Sequence, residues 1–351
     1  MSAAARSTFQ VHPSNTFDLF RSGDGGYHTF RIPALAVTRG GAVLAFAEGR
    51  RKSVSDTGLI EIVLRRSVDG GRTFGASTVV IAQEGMTCGN PTPTVDTETG
   101  TILLPFCKNP EDGPEPLVFE GKASRTAWIT RSNDDGLTWE TPIDITASAK
   151  PANTSWFAFG PGHGTRLASG RLVVPSVHAA IVDRRHSDPC RAQVTLSDDG
   201  GVTFRVGGII DVPTSSECEV VELGPNELYL NARYEAKDAG RISAWSDDGG
   251  ESFYDVTIDR AQTDATCQGS MARAVDGRIV LVNALGPRRE RLAARVSDDR
   301  GRHFGEPFLL DERRAAYSDL VALPDGGFLC AYECGVRSAY EKITCVRFDL
   351  K

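Results

Sequence analysis

Apolar residues along the chain come in short runs, alternating or continuous, separated by clusters of Gly, Asp, Asn and Ser. A sustained 3.6-residue period is missing, so the pattern predicts strands and turns rather than helices. One arrangement recurs six times: an apolar run, a tight turn, a second apolar run. The turns are marked by Gly41 in RIPALAVTRGGAVLAFAE, Gly100 in NPTPTVDTETGTILLPF, Gly170 in GPGHGTRLASGRLVVPS, Asn226 in ECEVVELGPNELYLNAR, Gly277 in QGSMARAVDGRIVLVNA and Gly326 in YSDLVALPDGGFLCAYE. Two β-rich runs joined by a turn residue that tolerates φ > 0 are the signature of a hairpin.

A second element follows the first five hairpins, of the form Ser-x-Asp-x-Gly-x-Thr-aromatic with small variations. Its copies start at Ser67, Ser132, Ser197, Ser246 and Ser297. A strand-like run precedes each copy and a further one usually follows, so each box is the turn of a second hairpin. Its Ser and Asp bond turn backbone groups, its Gly allows φ > 0 and its aromatic covers the turn. Two linked hairpins make a four-stranded antiparallel sheet, and repeats of about 50 residues and more are the mark of propellers and solenoids. The expectation is an all-β chain: a six-bladed β-propeller with Asp-box turns, one domain over residues 1–351. The segment before Tyr27 is expected to supply the last sheet's outer strand and close the ring.

Composition narrows the partners. The net charge is 39 − 46 = −7 with His neutral, which disfavours a general nucleic-acid binder. No apolar run is long enough to span a bilayer, and the first residues lack the apolar core of a signal peptide. The eight cysteines are scattered, with no C-x-x-C pair and no H-E-x-x-H, so they read as reduced buried thiols in a cytoplasmic protein, with no metal site and no cofactor.

Strand phase then places the chemistry. The first position of each inner strand holds, in order, Arg31, Asn90, Gly160, Glu217, Gln268 and Tyr317. An Arg, a Glu and a Tyr at equivalent places near an axis are not core-filling residues. The ends of the second strands and the loops after them add Arg50, Asp56, Arg233, Glu333 and the cluster Arg288, Arg289 and Arg291. Several guanidinium groups, a few carboxylates and a phenol suit a small anionic ligand held by bidentate arginine–carboxylate pairing. The boxes lie on the other rim and read as turn staples. His163 and His178 read as structural or rim residues, and Cys218 alternates away from the pocket.

The stretches FRIPAL, AFAEGR, SDTGLIEIVLRRS, CGNP, WFAFGPGH, SECEVVEL, LNAR, AYSDL and AYE, in this order over nearly the whole chain, resemble the sialidases, most closely the animal cytosolic type. The resemblance implies an exo-α-sialidase that releases terminal sialic acid from oligosaccharides, glycolipids or glycoproteins with retention. It implies that Arg31, Arg233 and a third arginine clamp the substrate carboxylate. The third is taken as Arg289, eight residues before Ser297, with Arg288 and Arg291 as neighbours of the same type. It further implies that Glu333 orients Arg31, that Asp56 is the general acid/base, that Tyr317 is the nucleophile paired with Glu217, and that Arg50 lines the pocket. Asn90 joins the substrate-binding set. A tyrosine in place of the usual carboxylate nucleophile fits a substrate whose anomeric carbon bears a carboxylate, which would repel an attacking Asp or Glu.

Two stretches depart from that family. After the VVP strand this chain has Val177, His178, Ala179 and Ala180 where the animal enzymes have tyrosines, and residues 113–121 read as a variable surface loop. Both bear on which sialic acid and linkage is preferred. The alternatives are a non-catalytic Asp-box propeller that binds sialylated glycans, and a trans-sialidase or anhydro-forming relative.

Overall fold

All six expected hairpins form as antiparallel pairs. They are Thr29–Val37 with Val43–Arg50, Thr94–Val95 with Ile102–Pro110, Thr165–Arg166 with Leu172–Asp183, Ser215–Gly224 with Glu227–Tyr234, Ser270–Arg273 with Ile279–Ala284, and Arg314–Ala322 with Phe328–Gly335. The computed structural model describes residues 9–183, 186–187, 190–236 and 240–351. The first eight residues, read above for a signal peptide, lie outside them.

The protein is all-β and propeller-like, but six separate blades is not what the sheets show. The strands of the described residues form five sheets, four of which are separate blades built on a path of four strands. The fifth is a continuous nine-stranded sheet running from Thr29–Val37 to Ile143–Asp144. It covers the stretch that the hairpin pattern divides into two units. The cause is the short strand Met86–Gly89, which pairs antiparallel with Ile102–Pro110 and also makes a parallel bridge, Thr87 to Ile60, with the strand Ile60–Ser67. Lateral bridging of this kind has no local sequence signal.

Around the axis the innermost strands touch in succession: Thr29–Val37 on Arg314–Ala322, that strand on Ser270–Arg273, and Ser270–Arg273 on Ser215–Gly224. The N-terminal strand Phe9–Arg21 pairs with the C-terminal strand Lys342–Leu350, as expected for ring closure. Every residue of Val43–Arg50 is buried, because adjoining sheets cover both faces of these second strands. Apolar faces of adjoining sheets interdigitate, as where Phe328, Tyr332 and Phe348 meet Val280, Val282 and Leu292.

The boxes are turn staples, as read. In the second copy Ser132 Oγ donates to Asp134 Oδ1 at 2.8 Å and accepts the Gly136 N–H at 3.0 Å. Asp134 Oδ1 accepts the Thr138 N–H at 2.9 Å and Oδ2 the Thr138 hydroxyl at 2.5 Å. The other copies repeat the scheme, with Ser252 in place of Thr in the fourth and His303 in the last. The Thr138 hydroxyl and amide, with the Ser132 hydroxyl, hold the Asp134 carboxyl down to about 2. A folded-state pKa below the ordinary value of 3.8 contributes stability above that value, and the contribution is lost as pH falls through about 2. The urea midpoint should therefore fall as pH is lowered across this window, and fall less steeply in Asp134→Asn; an unchanged slope would refute the staple.

Candidate active site

Three inner strands carry a register shift where they bear a site residue. The shifts lie between Arg31 and Ala34, between Ser215 and Cys218, and between Ala315 and Ser318. They bracket or adjoin Arg31, Glu217 and Tyr317. A bulge of this kind re-aims a side chain that plain alternation would turn into the sheet stack. In the first strand Pro33 has no N–H to give a ladder, and Ile32 takes φ +56°, a strained conformation for a β-branched residue. Glu333 compensates by accepting the Ile32 N–H at 2.9 Å.

These side chains share one cavity of about 310 Å³. Of the residues expected in the site, Arg31, Arg50, Asp56, Asn90, Glu217, Arg233, Arg289 and Tyr317 line it. Glu333 stands behind it, fully buried, and its two oxygens take Arg31 Nε at 3.0 Å and Nη2 at 3.2 Å. Of the clustered arginines only Arg289 lines the cavity, while Arg288 and Arg291 are exposed. Gly160 is absent from the lining, and Gln268 is buried beneath it, bonded to the Pro161 carbonyl and the Ser318 N–H.

At the centre the Tyr317 hydroxyl donates to Glu217 Oε1 at 2.5 Å and accepts from Arg233 Nη1 at 3.1 Å. Arg233 also pairs with Glu217 at 2.8 Å and Glu235 at 3.2 Å. The guanidinium carbons of Arg31 and Arg289 each lie 5.2 Å from the centre of the Tyr317 ring. Three cations thus surround one phenol. Burial, followed by the Glu217 charge, pushes the Tyr317 hydroxyl well above its ordinary value, so the phenol is neutral.

Asp56 sits on the loop after Val43–Arg50, its side chain 59% exposed. Its Oδ1 lies 3.1 Å from Arg31 Nη1 and 2.8 Å from Arg50 Nη2. Desolvation pushes its carboxyl up, but the Arg50 and Arg31 charges outweigh this and leave it below the ordinary carboxylate value. Arg289 has no carboxylate partner among the described residues; its Nη1 donates to the Tyr340 hydroxyl at 2.8 Å.

Several site residues escaped the sequence reading. Glu48 takes Arg50 Nε at 3.0 Å and Nη2 at 2.5 Å on one oxygen, and the Asn90 N–H at 2.8 Å on the other. Its signal was present, because two residues before Arg50 on a strand is the same face. Arg125 lines the wall near Asn90, bonded to Asn90 Oδ1 at 2.6 Å, Asn109 Oδ1 at 3.0 Å and the Phe157 carbonyl at 2.7 Å. Residues 113–121, read as a surface loop, instead form the short helix Glu115–Phe119, and Glu115 and Phe119 line the cavity, with Phe119 stacked on Trp156. Burial raises the Glu115 carboxyl above its ordinary value. Val177 and Ala179 are buried in their strand rather than at the cavity, and the side chain of Ala180 lies outside the described residues. Cys218 is fully buried against the Ser176 and Gln193 carbonyls, whereas Cys190 is half-buried and lines the cavity.

The similarities of this propeller-like all-β chain make it a glycoside hydrolase. Residues 41–330 match the BNR repeat-like domain family. The chain is 31% identical to an exo-alpha-sialidase of Aspergillus fumigatus over 84% of this chain and 76% of that protein, and 35% identical to mouse sialidase-4 over 69% and 54%. The chain belongs to the sialidase family. It spans about half the length of the mouse protein and of a Micromonospora viridifaciens sialidase. Among solved structures, the Hadza microbial sialidase Hz136 is similar with a TM-score of 0.83 at 24% identity, covering 95% of this chain and 68% of that one. The Trypanosoma rangeli sialidase in complex with 2,3-difluorosialic acid, a covalent intermediate, gives 0.78 at 19% identity, covering 97% and 59%. At these identities both speak to the fold alone.

Proposed function

We propose that this protein is an exo-α-sialidase that hydrolyses terminal sialic acid from glycoconjugates with retention, acting as one domain and needing no cofactor. The observation that carries the reading is the 2.5 Å hydrogen bond from Tyr317 to Glu217 inside a cluster of three guanidinium groups. Arg31, Arg233 and Arg289 clamp the sugar carboxylate, and Glu333 holds Arg31 in place. The Tyr317 oxygen attacks the anomeric carbon as its proton passes to Glu217, and the glycosidic oxygen leaves with a proton from Asp56. Water deprotonated by Asp56 then attacks the anomeric carbon, the tyrosyl–sugar bond breaks, and the proton on Glu217 returns to the phenol. Two inversions give retention. Arg50 and Asn90 line the part of the pocket beyond the clamp.

The eight cysteines are all unpaired, and seven of them are buried, which supports a reducing compartment, the cytoplasm. No helix among the described residues is long and apolar enough to cross a membrane.

The test is hydrolysis of fluorogenic N-acetylneuraminic and deaminated sialosides, with NMR of the first-formed sugar. The α-anomer should appear first. Absence of turnover with retained binding would support the non-catalytic alternative, and transfer to an added galactoside in place of water would support the trans-sialidase one.

The ion pairs of Asp56 make a further prediction. Arg50 and Arg31 hold its pKa below the ordinary value. A substrate carboxylate on Arg31 takes over one counter-charge and brings a negative charge close, so the Asp56 pKa rises in the complex. A general acid acts only when protonated, so activity falls as pH rises through its pKa. The basic limb of the kcat profile should therefore lie at higher pH than that of kcat/KM. Coincident limbs would contradict this role for Asp56.

A further inference from the structure

Two residues along from the catalytic pair, the same inner strands present a second set of polar side chains to the axis. Glu219 follows Glu217 and Asp319 follows Tyr317 on the same strand faces, about 7 Å further down. There they meet His163, which comes from the GPGH stretch between the Thr154–Phe159 and Thr165–Arg166 strands. His163 Nδ1 lies 2.9 Å from Asp319 Oδ1 and 3.4 Å from Glu219 Oε1, and one ligand atom from each of the three falls within 4.8 Å of the others.

Both carboxylates are fully buried. Asp319 is held by the Leu35 N–H at 2.6 Å and the Leu320 N–H at 2.9 Å, which fixes its orientation without exhausting its lone pairs. Glu219 is different. Its Oε2 is buried with no hydrogen-bond donor among the described residues. Arg241, whose charge also reaches Glu219, is paired with Asp264 at 3.2 Å. Burial disfavours a charged His163, but Asp319 and Glu219 lift its pKa to about 9, so a proton there already offsets part of the cost of two buried carboxylates; the orphaned Glu219 oxygen leaves a further cation something to bind. His163 also lines a cavity of about 340 Å³ that runs along the axis on the side away from the active site, between Leu35, Val95, Val221 and Val321. Of the three residues only His163 lines that cavity, so an ion entering by it would meet the imidazole first, without passing Tyr317.

We propose that His163, Glu219 and Asp319 form a divalent metal site at the hub of the ring, one layer beneath the Tyr317–Glu217 pair, with a coordination position open to the axial cavity. One imidazole nitrogen and two carboxylates are a Zn²⁺-type donor set. They are too few oxygens for Ca²⁺, which takes six to eight. The ion takes the place of the proton between His163 Nδ1 and Asp319, and the backbone N–H groups on Asp319 act as the outer support that such ligands need.

The test uses the full chain, stripped with EDTA and dialysed, then titrated calorimetrically with ZnCl₂ and separately with CaCl₂. One equivalent of Zn²⁺ should bind and raise Tm, with no Ca²⁺ response. Glu219→Gln keeps the shape and removes the charge, and should weaken binding by about 10-fold or more. Co²⁺ should give visible d–d absorption in the unmodified protein that Glu219→Gln and His163→Gln lose. No Zn²⁺ binding by the unmodified protein, or binding and Co²⁺ bands unchanged in both variants, would overturn the site. Both readouts are independent of turnover, so the result stands apart from that of the sialoside assay.

Discussion

Tyr317→Phe is expected to lower kcat on fluorogenic sialosides on the order of 10³-fold or more while leaving ligand binding nearly intact. The substitution removes one oxygen and keeps the ring beneath Arg31 and Arg289, so the cation–ring contacts persist. It removes the acceptor that would form the covalent bond. The neutral phenol is a poor nucleophile, and burial together with Glu217 makes it harder still to ionise. Reaction therefore depends on Glu217 taking the proton as the bond forms, not on a pre-formed phenolate. Glu217→Gln should consequently approach the loss seen in Tyr317→Phe, and the double variant should be little worse than either single one, because the two act as a unit. A planar inhibitor resembling the oxocarbenium ion should compete with similar affinity in the parent and in Tyr317→Phe. Turnover at the parent rate would remove the nucleophile assignment, and loss of inhibitor binding would show that the hydroxyl serves chiefly to hold the pocket together.

What the sequence made legible follows from which forces are local. Turn chemistry is local, so Gly41, Gly100 and the boxes at Ser67 through Ser297 marked the hairpins, and every hairpin is present. Strand phase is nearly local, and it brought Arg31, Asn90, Glu217 and Tyr317 to one cavity. It failed at Gly160 and Gln268, because plain alternation cannot tell a mouth residue from one buried a layer below. The bulges that re-aim Arg31 and Tyr317 depend on Glu333, which lies some 300 residues from Arg31 in the chain but accepts the N–H groups of both Ile32 and Tyr317. The parallel bridge that merges the first sheets depends in the same way on two segments meeting edge to edge, and no motif announces it. Arg125 was invisible for a related reason. An Arg opening an ordinary strand becomes a wall of the site only because Asn90, Asn109 and the Phe157 carbonyl converge on it.

The dependence of the site on Glu333 sets the second large effect. Arg31→Ala should cost both affinity and folding stability. The guanidinium is buried between Glu333 and Asp56, and burial is the largest influence on it, outweighed by the Glu333 and Asp56 charges that keep it protonated. Removing it leaves Glu333, fully buried, without its counter-charge. Breaking such a pair from one side costs about 3–5 kcal/mol, since the orphaned carboxylate must be neutralised or solvated. Two backbone donors, from Ile32 and Tyr317, remain on Glu333 and place the loss toward the lower end. Arg31→Lys separates the two effects. The ammonium restores charge opposite Glu333 and most of the stability, yet it cannot give one planar fork to Glu333 and a further N–H to a ligand. Its urea midpoint should approach that of the parent while KM for a sialoside stays raised about 10-fold or more, the loss of a charge-assisted hydrogen bond to the ligand. If Arg31→Lys recovered both stability and KM, the arginine would be acting only as a buried charge, and its place in the carboxylate clamp would have to be given up.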